Sequence, residues 1–394
     1  MMSGVVIIGA GECGVRAAFA LREHGYKGEL TLIGAEAALP YERPPLSKAG
    51  EIRLIRTAEA YSDNQIALRL GKVVTNIDFG SRLVFLSGGE ALAYDHLLFT
   101  TGARARLFSG VEGCLTLRTD LDAQVILSRL SPGAKIGIIG GGFIGLELAA
   151  LARKAGAEVT VIEAGPRLLG RAVPPQIARV LQERHSLEGV SLMLDTGVVG
   201  ASANQIVLAD GTLLEFDAVI AGVGSLPETA LAEAAGLAVR NGIAVDGDFR
   251  TSAPQVFAAG DCCNFDWRGQ QVRLESWKAA QDQGEHVALS ILGRSVPYNK
   301  VPWFWSDQYD LSLQVAGIFD LGAPIHSRAT GDGTTVVFQC DAQQNLVAAA
   351  GIGPGNATSK DIRIFEKLIE RQTIVDAGRL ADPSQNLKRL LAAT

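Results

Sequence analysis

Several features are missing from this chain of 394 residues, and each absence removes a class of function. The five cysteines, Cys13, Cys114, Cys262, Cys263 and Cys340, form no C-x-x-C pair and stand at no ligand-like spacing from the five histidines. Neither a metal site nor a disulfide framework is expected, and the adjacent Cys262 and Cys263 read as two small buried apolar residues. Positive charge is also short: 36 Lys and Arg against 42 Asp and Glu leave a net charge of -6. Nucleic acids and anionic membranes attract proteins through a positive field, so neither is an expected partner. The longest apolar stretch, KIGIIGGGFIGLELAALA, is broken by Glu147 and laced with glycine, which makes a poor membrane span. The opening MMSGVVIIGAGECG enters a strand at once, without the basic segment and cleavage site of a secretion signal, so a cytoplasmic protein is expected.

Glycine, by contrast, is abundant at 45 residues, so much of the backbone runs through tight turns or close to a bound molecule. Residues 4–36 read as an apolar strand, GVVIIG, a glycine turn, a helix with apolar spacing through Val15, Ala18, Phe19 and Leu21, and a second strand, ELTLIG, with Glu36 beyond it. Gly9, Gly11 and Gly14 fit G-x-G-x-x-G. The first permits the turn, the second lets backbone approach a pyrophosphate, and the third lets helix and strand pack closely. The helix start then offers free N–H groups and partial positive charge to phosphates. The same order recurs at 135–163: KIGIIG, then Gly140, Gly142 and Gly145, a helix, and EVTVIE ending at Glu163. One glycine motif is a weak signal. Two, each with an acid placed to accept from ribose hydroxyls, predict two Rossmann-type dinucleotide units. Such an acid repels a 2′-phosphate, so Glu163 favours NADH over NADPH, although the nearby Arg167 works against that preference.

A third segment, VFAAGD (256–261), delivers Gly260 and Asp261 into a turn where they can meet the ribityl or pyrophosphate part of FAD. The expected order is a discontinuous FAD domain (1–107 and 236–300), an inserted NAD domain (108–235) and a C-terminal domain (301–394). LLFTTGARAR (97–106) and VIAGVGSLP (219–227) are the crossings between the first two. Strands such as LSLQVAGI and TTVVFQC, followed by an amphipathic helix near 359–372, give the last domain an α+β character.

Seven stretches carry a resemblance: PYERPPLSK (40–48), TTGARAR (100–106), LRT (117–119), GGGFIGLELA (140–149), VFAAGD (256–261), LESWKAAQDQG (274–284) and PWFWSDQYDLSLQVAG (302–317). Through them the chain resembles the NADH-dependent ferredoxin reductases of bacterial oxygenase systems, and is similar to the biphenyl dioxygenase reductase component and to putidaredoxin and rubredoxin reductases. The resemblance implies an α/β, glutathione-reductase-like fold of two Rossmann-type domains plus a C-terminal domain, with FAD and NADH as cofactors. It implies that Arg43 and Arg118 contact FAD, that Lys48 and Glu147 pair near the flavin N5, that Glu163 and Arg171 lie along the NADH adenosine, and that Trp277 and Trp305 sit by the isoalloxazine. Thr101 and Gly102 join the expected FAD contacts, and Gly224 the NAD contacts. The connection after Lys48, AGEIRLIR, is several residues shorter than the family's usual one.

Hydride transfer from nicotinamide to flavin needs alignment rather than a general base. Lys48 would offset the charge gained by the reduced ring. Glu147, a carboxylate on an apolar helix face, calls for a cationic partner. No C-x(4)-C pair lies on the first helix and no cysteine near ERPPLSK, so no thiol relay is expected. Electrons would leave directly for a one-electron carrier, an acidic [2Fe-2S] ferredoxin met transiently by a monomer or homodimer, which feeds a Rieske-type dioxygenase or a cytochrome P450. The other open readings are a reductase of rubredoxin, quinone or oxygen, and a redox sensor like apoptosis-inducing factor.

Overall fold

A computed structural model describes residues 4–48, 52–294, 296–331 and 333–392. Part of the shortened connection after Lys48, residues 49–51, lies outside the described residues. The chain divides into two compact units, one comprising Met1–Arg43, Ile52–Arg104 and Ser225–Lys300, the other Pro44–Glu51, Ala105–Gly224 and Val301–Thr394.

In the first unit the fully buried strand Gly4–Ile8 lies within the parallel part of a seven-stranded sheet, whose strands Leu83–Leu86 and Val74–Asp78 pair antiparallel. Leu30–Gly34 and then Ala67–Leu70 flank it on one side, Ala91–Phe99 and then Val256–Ala258 on the other. Strand order therefore reverses at Gly4–Ile8, the switch point where open α/β sheets bind ligands beyond the carboxyl ends of their strands. Helix Glu12–Glu23 follows that strand. Its inward residues Val15, Ala18, Phe19 and Leu21 are buried, and Glu12 in the first turn with Arg22 in the last suits the helix dipole. Gly9 takes φ +114°, and a Cβ there would stand 2.1 Å from the Thr100 carbonyl oxygen, so the turn admits no side chain.

The second unit repeats the plan. Strands Ser191–Met193, Glu158–Ile162, Lys135–Ile139 and Ala218–Ala221 form a parallel sheet in that order, and helix Phe143–Lys154 leaves the glycine turn after Lys135–Ile139. At Gly145 a Cβ would lie 2.3 Å from the Gly140 carbonyl oxygen, which is the close packing of helix and turn anticipated from the motif. The C-terminal sheet is antiparallel, ordered Trp303–Gln308, Leu311–Gly317, Leu346–Pro354, Thr335–Cys340 and His326–Arg328, with helix Ser359–Glu370 packed on it. One core cluster joins Leu146, Leu148, Ile177 and Leu181 to Leu313, Val315, Val337 and Ile352. No helix among the described residues is long and apolar enough to cross a membrane.

Gly9→Ala forces a side chain into both a disfavoured φ and the Thr100 backbone. It is expected to lower the urea midpoint by the equivalent of about 2 kcal/mol with an unchanged slope; a midpoint equal to that of the unaltered protein would show that the turn relaxes freely.

Candidate functional site: two glycine turns and a buried carboxylate

Helix Glu12–Glu23 begins at Gly11 with no side chain capping its first turn, and a Cβ on Gly11 would meet no atom within 4 Å. Free N–H groups thus face open space, as a phosphate requires. Glu36 stands past the second strand. Tyr41 donates its hydroxyl to Glu36 at 2.5 Å and Arg43 donates to the other carboxylate oxygen at 2.8 Å, so these two side chains fold back onto the predicted ribose acid. The third predicted segment also closes on this turn: Gly260 has φ +83° and donates its N–H to the Gln283 side chain at 2.7 Å. Gln283 is fully buried, and its amide nitrogen has no partner among the described residues, which leaves its N–H donors unspent beside the cradle. Asp261 offers its carbonyl to Arg273. Thr101 donates to the Glu228 carbonyl at 2.6 Å, and Gly102 accepts from the Glu228 N–H. The preceding Thr100 also meets the glycine turn, its hydroxyl donating to the Gly9 carbonyl at 2.8 Å.

Glu12 was not singled out from the sequence. Its carboxylate accepts from Gln281 at 3.0 Å and interacts with Trp277, and burial raises its pKa above the usual carboxylate range. Trp277, the first residue of helix Trp277–Ile291, is therefore at the helix start that follows the glycine turn.

In the second unit helix Phe143–Lys154 starts at Gly142, again with no side-chain cap, and the nearest atom to a Cβ there is the Gly222 carbonyl oxygen at 3.8 Å. Both oxygens of Glu163 accept backbone N–H groups, from Gly141 at 2.7 Å and Gly165 at 2.8 Å, which fixes the carboxylate against the glycine turn. The guanidinium of Arg167 is given to the carbonyls of Leu169, Gly170 and Val173, so it closes its own turn rather than facing Glu163. Arg171 is exposed on that turn. Gly224 has φ +111° and accepts from the Arg106 N–H.

Also in the second unit, Glu147 is only 7% exposed on its helix. Ser306 donates to one of its oxygens at 2.5 Å and Ser47 donates to the other. Lys48, the expected direct partner, instead bonds Asp307 at 3.2 Å and lies over the Trp305 ring at 5.2 Å; it favours the Glu147 anion only through space. Strand alternation explains the difference. Along Trp303–Gln308, Ser306 and Gln308 are buried whereas Trp305 and Asp307 share the opposite face, where Lys48 meets them. Burial pushes the Glu147 pKa up, and Lys48, Ser306 and Ser47 pull it back. A bare buried carboxylate costs several kcal/mol, and each hydroxyl donor returns about 1.5–3 kcal/mol, so the two serines make burial tolerable. The Lys48–Asp307 pair is half open to solvent and adds orientation more than stability. Trp303 and Trp305 stack at 5.6 Å. Arg118 precedes Thr119, which caps helix Asp120–Leu127 beside the turn Pro44–Ser47.

Two open helix starts, each following a glycine turn with an acid beyond the next strand, define a protein that holds two dinucleotides. The family description Pyridine nucleotide-disulphide oxidoreductase matches residues 3–284, and Reductase C-terminal matches 303–391. The ferredoxin–NAD(+) reductase component of the anthranilate 1,2-dioxygenase system of Burkholderia cepacia is 39% identical, over 98% of each chain. Rubredoxin–NAD(+) reductase of Pseudomonas putida is 40% identical over 79% of this chain and 86% of that one. The structure of a covalent putidaredoxin reductase–putidaredoxin complex matches with TM-score 0.93 and 33% identity, covering 99% of this chain and 98% of that one. The chain belongs to the pyridine nucleotide-disulphide oxidoreductase family. It is an oxidoreductase whose cofactors are FAD and NAD(H), and the open glycine cradles fit them. All five cysteines are free, and Cys13, Cys114, Cys262 and Cys263 are buried.

The folded site favours protonated Glu147, so the native chain holds more protons than the unfolded one between the ordinary carboxylate pKa and the raised one. Its contribution to stability therefore falls as pH rises through that window. Glu147→Gln, neutral throughout, is expected to gain on the unaltered protein across that window and then hold a constant difference. Urea midpoints measured at a series of pH values check this, and a difference independent of pH would contradict it.

Proposed function

We propose that the chain is an NADH:ferredoxin oxidoreductase, delivering electrons to an acidic [2Fe-2S] ferredoxin that serves a Rieske-type dioxygenase or a cytochrome P450. The observation that carries it is near-full-length similarity to a ferredoxin–NAD(+) reductase component, joined to a site with two dinucleotide cradles and no cysteine pair. Bound FAD supplies two-electron acceptance from a nicotinamide and one-electron release to a carrier. Everything else is positioning by this chain's own residues. The helix starts at Gly11 and Gly142 hold pyrophosphates. Glu36, steadied by Tyr41 and Arg43, takes the FAD ribose, with Thr101, Gly102, Arg118, Gly260, Asp261, Trp277 and Trp305 as the remaining FAD contacts. Glu163, already anchored by two backbone amides, takes the NADH ribose and disfavours a 2′-phosphate, with Arg171 and Gly224 alongside; Arg167 is engaged elsewhere and does not offset it. Lys48 serves the reacting edge of the flavin as a fixed cation, and Glu147 sets the charge beside it.

The reading extends to three domains, FAD (1–107 and 236–300), NAD (108–235) and C-terminal (301–394), working in the cytoplasm as a monomer or homodimer. The 40% identity to a rubredoxin reductase keeps rubredoxin as a second acceptor. Anaerobic stopped-flow of the yellow protein with NADH or NADPH, then with purified ferredoxins and rubredoxins, separates these. Fast reduction by NADH followed by fast ferredoxin reduction is expected, and a preference for rubredoxin would overturn the acceptor. Glu163→Ala is expected to raise the KM for NADH roughly ten- to a hundredfold through lost charged hydrogen bonds. The rate at saturation should change little; an unchanged KM would remove Glu163 from the adenosine site.

A further inference from the structure

The Glu147 carboxylate is the inner end of a hydrogen-bonded chain in the second unit that the hydride-transfer chemistry does not itself require. Ser306 donates to Glu147 at 2.5 Å, and the Gln308 amide donates to the Ser306 hydroxyl at 3.1 Å from the same strand face. The Gln308 carbonyl oxygen lies 2.8 Å from His185 Nε2, and His185 Nδ1 lies 3.1 Å from the Tyr309 hydroxyl. Because the Gln308 amide nitrogen is committed to Ser306, its oxygen faces the ring and Nε2 carries the proton. Nδ1 then accepts from Tyr309. Glu147, Ser306, Gln308 and His185 are all buried, His185 completely, while Tyr309 reaches the surface beneath Arg184. Every donor in the series points the same way, toward an anion. Bonds aligned in this manner polarise one another in a low dielectric.

We propose that His185, with Gln308 and Tyr309, is a positioning residue that stabilises the ionised form of the Glu147 carboxylate through Ser306, opposing the cost of its burial. The groups facing Glu147 are Ser47 from the Pro44–Ser47 turn, Lys48 just after it, and Asp307 and Ser306 from the strand. Those facing His185 are Arg184 on its own helix, Pro175–Leu187, Glu188 at that helix's C-cap, and Gln308 and Tyr309 from the strand end, with Asp310 reaching Arg184. Burial keeps His185 neutral, as the donor direction demands. The catalytic meaning of this chain rests on the reading of Glu147 given above; its existence as an electrostatic device does not.

Infrared titration of the FAD-loaded protein can follow the protonated carboxyl band that Glu147→Gln removes. The midpoint of that band is expected to rise by about half a pH unit in Gln308→Leu and in His185→Phe, because the inner donor is less polarised. A smaller rise is expected in Tyr309→Phe, and His185→Gln, which keeps a donor toward Gln308, should return toward the unaltered value. The pH profile of flavin reduction by NADH should move in the same direction. A shifted band with an unshifted NADH profile still supports the relay and removes Glu147 from the hydride step, which keeps the two conclusions separate. Tyr309→Phe deletes one hydroxyl at the outer end and decides the matter if the buried variants do not fold. An unmoved band midpoint in every folded variant overturns the proposal.

Discussion

The dinucleotide cradles depend on helix starts left open. Gly11 and Gly142 give the helices beginning at Glu12 and Phe143 no side-chain cap, and the glycines before and after them bring turn, strand and helix too close together for any side chain. That closeness aims the first-turn N–H groups beyond the strand ends, and the sheet order reverses there in the first unit. Unsatisfied donors at a helix start are a cost until an anion meets them. The chain accepts that cost twice, then places an acid, Glu36 or Glu163, just past the strand that follows each helix.

How much of this was legible from sequence depended on range. Each strand, turn, helix and strand falls within about thirty residues, so periodicity, glycine spacing and the terminal acid could all be read together. The architecture of the C-terminal segment was legible in outline for the same reason. Partner assignments spanning the chain were not. Ser47 is 100 residues from Glu147 and Ser306 is 159 residues from it, and nothing local says that two hydroxyls rather than an ammonium would satisfy the carboxylate. A demand for neutralisation could be inferred from one polar residue on an apolar helix face; the identity of the neutralising groups could not. The alternation in Trp303–Gln308 was the available signal, since it separates Ser306 and Gln308 from Trp305 and Asp307. Glu12 and Gln283 went unread because an acid in a first helical turn and a glutamine within a helix have ordinary local explanations. Only the approach of helix Trp277–Ile291 to the glycine turn gives Gln283 its bond to Gly260.

The family is named for disulphides, yet this chain builds its site from hydroxyls, a carboxylate and an ammonium. Lys48 and Glu147 do share a neighbourhood, but on opposite faces of one strand. The cation is thereby held beside Asp307, partly open to solvent, while the nearby carboxylate is kept dry. That separation lets the two charges be tuned by different groups, Trp305 and Asp307 for one, Ser47 and Ser306 for the other.

The cysteines carry a consequence of their own. Burial drives the thiols of Cys13, Cys262 and Cys263 to resist ionisation, and those of Cys114 and Cys340 are pushed up to about 11. A cysteine attacks peroxide as its thiolate. A reduced flavin exposed to air can yield peroxide whenever an electron pair, with two protons, passes to oxygen instead of the carrier. These thiols are therefore chemically quiet toward the protein's own waste, and inactivation during long aerobic turnover should begin elsewhere than at cysteine.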